Sequence, residues 1–511
     1  MRTIHQSCLV LALYCMLLSG CQPEKPAEQP DGPDFAAMGG LNIPRGLTMN
    51  TAEATPGYVL FNPLSSDTTF LINMDGEVVH IWDSDYGPSG GMYLKDNGNL
   101  LRTGYDYDAP VFGGGGQGGW FQEFTWDGEL VWEYNFANEQ HRPHHDIALL
   151  PNGNILAIAW EAKSYEEALQ AGRDPAKTPA AGLWPDMIVE LRPTGTNGAE
   201  VVWEWHMWDH LVQDFDPEKD NYGDPATHPE LMDINLGRPL PPPTTEEAID
   251  SQRAMGMVVT NATPENRGSD LFHMNAINYH PGLDQITFSL PGKGEIYIID
   301  HGTTSEEAAG HRGGRWGKGG DFLYRWGNPQ NYRQGDSTHQ QLGGQHDVQW
   351  IPEGFPGAGH LLVFNNEVPR ATPPYSAVVE IAPPLRESGY NLGPEGRFGP
   401  SRPAWEYVAL DTVSFFAPFI SGAHRMANGH TFVTEGTRGR YLEVTPERQV
   451  VWEYLTPYPG SLRFPDGTTP QPVGPLKYAT FRATHIPMDH PAVAGKDLRP
   501  LDPQPPAPGP G

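Results

Sequence analysis

Gly128-Glu129-Leu130-Val131-Trp132-Glu133-Tyr134 is the stretch that decides the fold, because it reads as a turn followed by a short strand with an aromatic end. The same pattern recurs along the chain. The five further copies are Gly76–Trp82, Val201–Trp205, Phe322–Trp326, Ala404–Tyr407 and Val450–Tyr454. Six copies of one short unit indicate an architecture built from repeats rather than several unrelated domains.

A second recurring unit, a polar turn between two strands, lies between these copies. It is found at Lys95–Asn99, Pro151–Asn154 and Ala427–His430, where Asn-Gly pairs favour tight hairpins. Amphipathic helices are nearly absent, so the class is all-β. Repeated four-stranded units of this size stack radially, which predicts a six-bladed β-propeller over residues 45–495. Two packed sandwiches are the alternative, but they would not explain the even recurrence.

The amino terminus has the features of an exported lipoprotein. Arg2 precedes an apolar run, 8–18, that is too short to span a bilayer, and Leu18-Ser19-Gly20-Cys21 reads as a lipobox. We therefore expect a signal peptide over 1–20 and lipidation of Cys21. An ordinary signal peptide remains the alternative.

The next segment, 21–44, is rich in Pro, Glu, Gln and Gly and predicts a flexible lipidated linker. Because the residue after Cys21 is Gln22 rather than Asp, we expect anchoring at the outer membrane, facing the periplasm. The membrane would be contacted only through the lipid.

Two further segments depart from the repeat. Residues 206–270 predict an inserted loop or helical segment that covers one mouth of the propeller. Its acidic run is not an EF-hand, since Lys219 holds the glycine position and Pro225 the twelfth position. The Pro/Gly-rich tail, 496–511, is predicted to be disordered.

Composition excludes several function classes. With a net charge of −30, the chain is not expected to bind nucleic acid, and an anionic substrate would need a local cluster of donors. The three cysteines, Cys8, Cys15 and Cys21, precede the folded part, which therefore has no disulfide. No cofactor and no metal site are predicted, because zinc-binding motifs are absent and the glycine run Gly113–Gly119 has no helix after it. The oligomeric state stays open.

Three histidines occupy one repeated position. His145, His273 and His346 each begin a strand at a similar distance before a hairpin turn, while Gly90 and Ser421 hold the same place in two other repeats. The innermost strands of a propeller line its channel, so these imidazoles are expected to converge. They could bind a metal, relay protons or form a covalent intermediate.

Several segments of the chain resemble the arylsulfotransferase family over roughly residues 45–499. The segments are Asn73–Val79, His144–Asn154, Gly344–Asp347, Val363–Asn366, Glu435–Thr437 and Phe481–Ala483. The resemblance implies a nucleotide-independent enzyme that moves a sulfuryl group from an aryl sulfate donor to a phenolic acceptor. Its mechanism would be ping-pong, through a sulfohistidine.

The same resemblance implies roles for individual residues. His346 matches the nucleophilic histidine, and His273, Asn275 and His145 match the groups that support it. His144 is a register alternative for His145, and Thr437 matches a substrate-binding threonine. An arginine of some family members falls at Pro291 here, so the charge of the sulfate must be neutralised by another group.

Two other function classes remain at this stage. One is a non-catalytic envelope propeller that binds a glycan or a protein partner. The other is a metal-dependent hydrolase or lyase that uses the three histidines as ligands.

Overall fold

The computed structural model describes residues 44–237, 240, 244–249, 262–412, 414–460 and 474–507. The predicted signal peptide, the lipidation site at Cys21 and the linker up to residue 43 lie outside the described residues. The strands are β1 Gly46–Asn50, β2 Gly57–Pro63, β3 Thr68–Asn73, β4 Val78–Asp83, β5 Pro88–Leu94, β6 Leu100–Tyr105, β7 Gly119–Phe124, β8 Leu130–Asn135, β9 His141–Leu149, β10 Ile155–Glu161, β11 Asp186–Thr194, β12 Gly198–His206, β13 Leu211–Val212, β14 Met232–Asp233, β15 Ala276–His280, β16 Gln285–Leu290, β17 Glu295–Asp300, β18 Tyr324–Trp326, β19 His346–Trp350, β20 Leu361–Asn365, β21 Ala377–Ile381, β22 Leu385–Arg386, β23 Gly389–Tyr390, β24 Trp405–Tyr407, β25 Gly422–Arg425, β26 Thr431–Glu435, β27 Arg440–Val444, β28 Val450–Leu455 and β29 Thr480–Pro487.

The helices are short. They are α1 (Tyr165–Gln170), α2 (Ser305–Ala308) and a helical turn at 246–249, and several single 3-10 turns join the strands. The 3-10 turns are Pro175–Lys177, Met207–Asp209, Pro225–Thr227, Pro291–Lys293, Pro329–Tyr332, Ser337–His339, Gly436–Arg438, Gly474–Tyr478 and Pro491–Val493. Within the described ranges, no helix is both long enough and apolar enough to cross a membrane.

The sheets are antiparallel meanders arranged as in a propeller, which confirms the all-β class. Four of them are separate sheets, with strand orders β29-β2-β3-β4, β15-β16-β17-β18, β19-β20-β21-β24 and β1-β28-β27-β26-β25. The first of these joins both ends of the chain, because β29 pairs with β2 from Gly57 opposite Pro487. Strand β1 adds a fifth, outermost strand to the last sheet.

The prediction of six separate blades is wrong, because the remaining two meanders form one eight-stranded sheet, β12-β11-β10-β9-β5-β6-β7-β8. They are joined by a single parallel bridge between Gly90 of β5 and His145 of β9. Gly90 has a φ of +144°, and a Cβ there would lie 1.5 Å from the His145 carbonyl oxygen. Only glycine allows the two backbones to come this close.

The repeated aromatic strand ends have a common structural role. They all lie on the last strand of a meander, and an indole N–H from that strand donates to a backbone carbonyl of the following meander. The bonds are Trp82 to Thr125, Trp132 to Gly198, Trp205 to Gly320, Trp326 to Pro400, Trp405 to Pro446 and Trp452 to Met74. The last bond returns to the first meander. These polar contacts explain why tryptophan recurs where another apolar residue would fill the same space.

Carboxylates on the inner strands join neighbouring sheets near the axis. Asp146 accepts a hydrogen bond from the backbone N–H of Ile277 at 3.1 Å, and Asp347 accepts one from Ala423 at 2.8 Å. Each aspartate directly follows one of the candidate histidines. These bonds therefore hold the inner ends of neighbouring sheets, where the histidines lie, at fixed positions relative to one another.

The predicted insertion contains local structure of its own. Strands β13 and β14 pair in parallel, and Asp214 accepts a 2.6 Å bond from Arg333 across the surface. The described part of the tail is also ordered, contrary to the prediction of disorder. Gln504 bonds to both the N–H and the carbonyl of Val78, and the Leu501 N–H donates to the same carbonyl. Residues 498–504 thus run beside β4.

Candidate active site

The three candidate histidines lie at the inner ends of three meanders, but not all begin a strand. His346 is the first residue of β19, His145 lies within β9, and His273 precedes β15 by three residues. His145 and His273 have left-handed backbones, with φ of +55° and +60°. Ser421, predicted at the same place in another repeat, has a φ of +86°. In the His346 segment the left-handed residue is instead the following Asp347, with a φ of +56°, so His346 lies one residue earlier in this pattern than His145 and His273.

The structure brings the imidazoles together around Phe481. The rings of His145 and His273 meet edge to face, with centroids 4.6 Å apart. The ring of Phe481 lies 6.2 Å from His145 and 6.5 Å from His346. Among the described residues, the three imidazoles do not form a group whose nitrogens are close enough to share one metal ion. The arrangement therefore favours a proton-transfer or group-transfer site over the predicted alternative of a three-histidine metal centre.

His273 is paired with a carboxylate that the sequence analysis did not identify. Its Nδ1 lies 2.5 Å from Oδ2 of Asp270, and Oδ1 of Asp270 accepts a bond from the indole of Trp160. Burial alone lowers the pKa of His273, but the Asp270 carboxylate outweighs it and raises the pKa above its usual value. His273 is thus the channel histidine that is most readily protonated, with one third of its side chain exposed.

His346 is neutral and has a defined tautomer. Its Nδ1 faces two acceptors, the carbonyl of Gly344 at 2.8 Å and Oδ1 of Asn366 at 2.9 Å, so Nδ1 carries the hydrogen. Its Nε2 accepts a bond from the backbone N–H of Ile420 at 3.1 Å. Burial lowers the pKa of His346 to about 4. The nitrogen required for nucleophilic attack is therefore unprotonated, but it is occupied by this backbone donor.

His144 and His145 form a pair through their Nδ1 atoms, which are 2.8 Å apart. His144 is fully buried against Trp160, with ring centroids 4.0 Å apart, and its Nε2 lies 3.0 Å from Oδ1 of Asp186. That contact is poorly aligned for a hydrogen bond. Because the same Oδ1 already accepts from the Met274 N–H, it is an acceptor, which places the hydrogen of His144 on Nε2.

The pairing fixes the tautomer of His145 in turn. His144 Nδ1 then accepts, His145 Nδ1 donates, and Nε2 of His145 keeps its lone pair. Burial, together with the neighbouring His273, His144 and His346, holds the pKa of His145 well below its usual value. His144 is enclosed by protein groups, whereas His145 borders open space.

Asn275 and Thr437, both predicted as site residues, are completely buried. The amide of Asn275 donates to the Gln345 carbonyl at 2.9 Å, and its oxygen accepts from the hydroxyl of Ser289. Asn275 therefore positions the segment before His346. The hydroxyl of Thr437, on the 3-10 turn after β26, makes no hydrogen bond to the described protein groups. A buried hydroxyl without a partner is costly unless a ligand or water satisfies it.

Arg482 forms ion pairs with two buried carboxylates near the site, a role that no sequence motif indicated. Its guanidinium bonds to both carboxylate oxygens of Asp146 and lies 2.8 Å from Oδ1 of Asp347. These three residues come from three different meanders. Burial raises the pKa of Asp347 to about 6, although Arg482 opposes that rise.

Lys293 lies two residues after Pro291, the position where the resemblance places an arginine. Burial, with the nearby Arg173, lowers its pKa to about 8, while Asp270 and Asp186 favour its charged form. Its ammonium lies 5.6 Å from the ring centroid of Phe272. Lys293 thus adds positive charge beside the carboxylates that hold His273 and His144.

A cleft of about 190 Å³ opens onto this group of residues, and we call it the histidine cleft. Its lining consists of Leu64, Pro88, Ser89, Tyr105, Gly114, Gly115, Gly116, Gln117, His145, Ile420 and Phe481. Gly114, Gly115 and Gly116 of the glycine run form one wall. A Cβ on Gly116 would lie 2.5 Å from the imidazole of His145, so only glycine leaves that ring accessible.

The fold and the site define an all-β propeller-like protein with a partly apolar cleft that the imidazole of His145 borders. The chain belongs to the arylsulfotransferase (ASST) family, whose family model matches residues 49–454. No curated protein matches the chain significantly.

Solved structures resemble it only distantly. A protein of unknown function from Bacteroides caccae is 12% identical, covering 84% of this chain and 99% of its own, with a TM-score of 0.42. The β-propeller domain of Myceliophteria thermophila Cps50 is 13% identical, covering 80% and 89%, with a TM-score of 0.34. Virginiamycin B lyase from Staphylococcus aureus is 11% identical, covering 74% and 73%, with a TM-score of 0.31.

Proposed function

We propose that this protein transfers a sulfuryl group from an aryl sulfate to a phenol by a ping-pong mechanism, with a histidine of the cleft as the carrier. The observation that carries the proposal is the group of three imidazoles with different protonation states beside one cleft, which His145 lines directly and whose lining residues Gly115 and Ile420 adjoin His273 and His346. His346 and His145 each have an unprotonated Nε2, and His273 is favoured as the proton donor. Such a set supplies both a nucleophile and an acid.

In the first step, an imidazole Nε2 attacks the sulfur of the aryl sulfate and forms an N–S bond. The S–O bond to the aryl group breaks, and the departing aryl oxide takes a proton from His273. In the second step, the phenolic acceptor gives its proton to His273 and its oxygen attacks sulfur. The N–S bond then breaks and the imidazole returns to its neutral state.

We assign the nucleophile to His346, as the family resemblance implies. Its tautomer suits this role, because the hydrogen on Nδ1 leaves Nε2 unprotonated. For attack, Nε2 must separate from the Ile420 N–H, and Ile420 itself borders the histidine cleft. Opening of that one contact would expose the nucleophile to a donor in the cleft.

His145 is the competing assignment for the carrier. Among the described residues its only ring hydrogen bond is that between its Nδ1 and His144, and its ring faces the cleft, so its Nε2 needs no rearrangement before attack. In the main assignment, the unprotonated Nε2 of His145 instead accepts a hydrogen bond from the hydroxyl of the phenolic acceptor.

The remaining groups stabilise the charge on the sulfuryl oxygens or hold the substrate and His346 in position. A sulfuryl group passes through a loose transition state similar to that of phosphoryl transfer, so catalysis depends on alignment and on stabilising the equatorial oxygens. Protonated His273, Lys293 and the free hydroxyl of Thr437 are candidate partners for these oxygens. Asn275 acts through Gln345 and the segment that precedes His346. Tyr105 and Phe481 give the cleft apolar surface for an aryl ring.

We further propose that the protein is exported and anchored through lipid on Cys21 to the outer membrane, facing the periplasm. The lipobox motif supports this proposal. Lipidation would leave the described fold unchanged, since the first strand begins 25 residues beyond the cysteine, at Gly46.

The decisive experiment is a donor and acceptor assay with 4-nitrophenyl sulfate and phenol. We expect release of nitrophenol, formation of phenyl sulfate, and parallel lines in double-reciprocal plots when both substrates are varied. Hydrolysis alone, with no sulfated phenol, would show that water rather than a phenol is the acceptor. Absence of any turnover across a panel of aryl sulfates would support a non-catalytic role.

A further inference from the structure

A cluster of side chains that can bind a metal lies away from the histidine cleft, where the inserted segment meets the loop between β17 and β18. It consists of His210, His311 and Asp321. Oδ1 of Asp321 lies 2.8 Å from Nδ1 of His210 and 2.7 Å from Nδ1 of His311. The three potential ligand atoms all lie within 4.8 Å of one another, and the described residues contain no other such group.

The environment of His210 fixes which of its nitrogens can act as a ligand. The side chain is fully buried, and its ring stacks on Trp205 with centroids 5.4 Å apart and planes within 5°. Its Nε2 faces the carbonyl of Ala308 at 2.8 Å and must therefore carry a hydrogen. In the neutral imidazole, Nδ1 then holds a lone pair that points at a carboxylate oxygen of Asp321.

Two acceptors at 2.8 Å repel one another unless a positive charge lies between them. A proton on Nδ1 would supply that charge by making His210 an imidazolium, and a bound cation would supply it without one. Metal-binding histidines commonly donate their second N–H to a backbone carbonyl, as His210 does to Ala308. The bond holds Nδ1 towards Asp321.

His311 completes the cluster from the solvent side. Its side chain is 58% exposed and borders a cleft of about 320 Å³ that is also lined by Trp208, Asp209, Asp220 and His228. Water could enter from this cleft to fill the remaining coordination positions. Buried His210 and exposed His311 thus face the same carboxylate oxygen.

We propose that Nδ1 of His210, Nδ1 of His311 and Oδ1 of Asp321 bind a divalent transition-metal ion of the zinc class. Two imidazole nitrogens and one carboxylate oxygen suit zinc and its neighbours better than magnesium or calcium, which prefer oxygen ligands. With bonds of about 2.0–2.1 Å, tetrahedral ligand atoms are about 3.3 Å apart. On binding, each Nδ1–Oδ1 separation would widen by about 0.5 Å to reach this value, and the two Nδ1 atoms, which lie within 4.8 Å of each other, would adopt it as well.

The metal would connect two segments that are distant in sequence. His210 lies in the insertion, where its carbonyl accepts a bond from the Met232 N–H at 2.8 Å. His311 and Asp321 lie in the loop that follows α2. The ion would therefore clamp the insertion to the neighbouring meander and raise stability. This inference is independent of sulfuryl transfer.

The proposal is tested by zinc titration of the untagged full-length protein. The protein is first stripped of metal with a chelator, and binding is then monitored with a competing chromophoric chelator. We expect one tight site per chain and a rise in Tm on zinc addition. His311→Ala and Asp321→Asn should each weaken zinc binding by about 100-fold or more, because even loss of a group that only hydrogen-bonds a metal ligand costs about 10–100-fold. His311 is exposed, so its removal should leave the metal-free Tm unchanged.

His339→Ala is the matched control, since His339 forms an exposed pair with Asp336 at 2.9 Å. It should bind zinc as the parent does. The proposal is overturned if the parent binds no stoichiometric zinc, if His311→Ala binds it equally well, or if His145→Ala rather than His311→Ala abolishes binding. If the parent binds no zinc, the positive charge between His210 and Asp321 comes from a proton on Nδ1 and not from a metal ion.

Discussion

The backbone N–H of Ile420 donates a hydrogen bond to Nε2 of His346 at 3.1 Å, which occupies the nitrogen that must attack sulfur. Ile420 and the following Ser421 both have left-handed backbones, with φ of +50° and +86°. Such conformations carry strain in non-glycine residues and are common at sites that change conformation. The segment around Ile420 is therefore the element whose movement would control access to His346.

The first prediction concerns the covalent intermediate. Incubation with an aryl sulfate and no acceptor should leave one acid-labile sulfuryl group on Nε2 of His346, located by tandem mass spectrometry. Because the Ile420 N–H then loses its acceptor, hydrogen exchange in a peptide spanning 417–421 should become faster. His346→Asn should abolish both the label and turnover.

His145→Asn serves as the matched control for this experiment. It should slow transfer to the phenol by about 10²–10³-fold through loss of the ring nitrogen that accepts from the phenol hydroxyl, while still allowing the label to form. A label that persists in His346→Asn and disappears in His145→Asn would reassign the carrier to His145.

The second prediction concerns the proton donor. Asp270 raises the pKa of His273, so the imidazolium is present at low pH and is lost as pH rises through that pKa. Asp270→Asn should lower the pKa of His273 and shift the alkaline limb of the kcat profile to lower pH. The shift should be large for donors with a poor leaving group, such as phenyl sulfate, and small for 4-nitrophenyl sulfate. An equal shift for both donors would rule out leaving-group protonation by His273.

The sequence was sufficient to locate the parts of the site that are repeated in the fold. The aromatic strand ends were predicted correctly, since each lies on the last strand of a meander, and the histidines do gather at the inner ends. The side chains that hydrogen-bond the histidines could not be predicted from the repeat. Asp270 lies in the predicted insertion and reaches His273 through a local bend, without any repeated spacing.

The errors have local physical causes. The two meanders that include Gly90 and His145 fuse into one sheet because a glycine allows two backbones to touch, which a strand count does not reveal. The tail at 498–504 is ordered because Leu501 and Gln504 bond to β4, despite its Pro-rich composition. Hydrogen-bonding patterns that set a tautomer, as at His346, depend on groups from several strands.

The third prediction is a stability change with pH. Burial lowers the pKa of His346 to about 4, from a usual value of 6.5. As pH falls through this window, the unfolded chain binds a proton while the folded site stays neutral, so the free energy of unfolding decreases. For this group alone, the loss between pH 7 and pH 5 is about 2 kcal/mol. Denaturant unfolding should show that the free energy of unfolding of His346→Gln, relative to that of the parent, rises by this amount from pH 7 to pH 5. A constant difference would contradict a buried neutral imidazole.

The fourth prediction tests the lipid anchor. Cys21→Ser should release the protein from the membrane fraction or stall its processing, because the thiol that would carry the lipid is absent. Fractionation and mass spectrometry of the mature amino terminus measure both effects, and the Tm of the folded part should not change. Membrane retention of a normally processed Cys21→Ser protein would contradict the lipobox interpretation.

The fifth prediction concerns Arg482, which neutralises Asp146 and Asp347 from two other meanders. Arg482→Leu should destabilise the protein by about 3–5 kcal/mol, since it leaves buried carboxylates without their counter-charge. Arg192→Leu is the control, because the Arg192–Glu200 pair is more than half exposed and should contribute about 0–1 kcal/mol. The pKa of Asp347 is already raised by burial, so loss of Arg482 should raise it further and make the deficit smaller at acidic pH. Unfolding at pH 5 and pH 8 measures this difference. An Arg482→Leu protein as stable as Arg192→Leu at both pH values would show that the two carboxylates do not depend on the guanidinium.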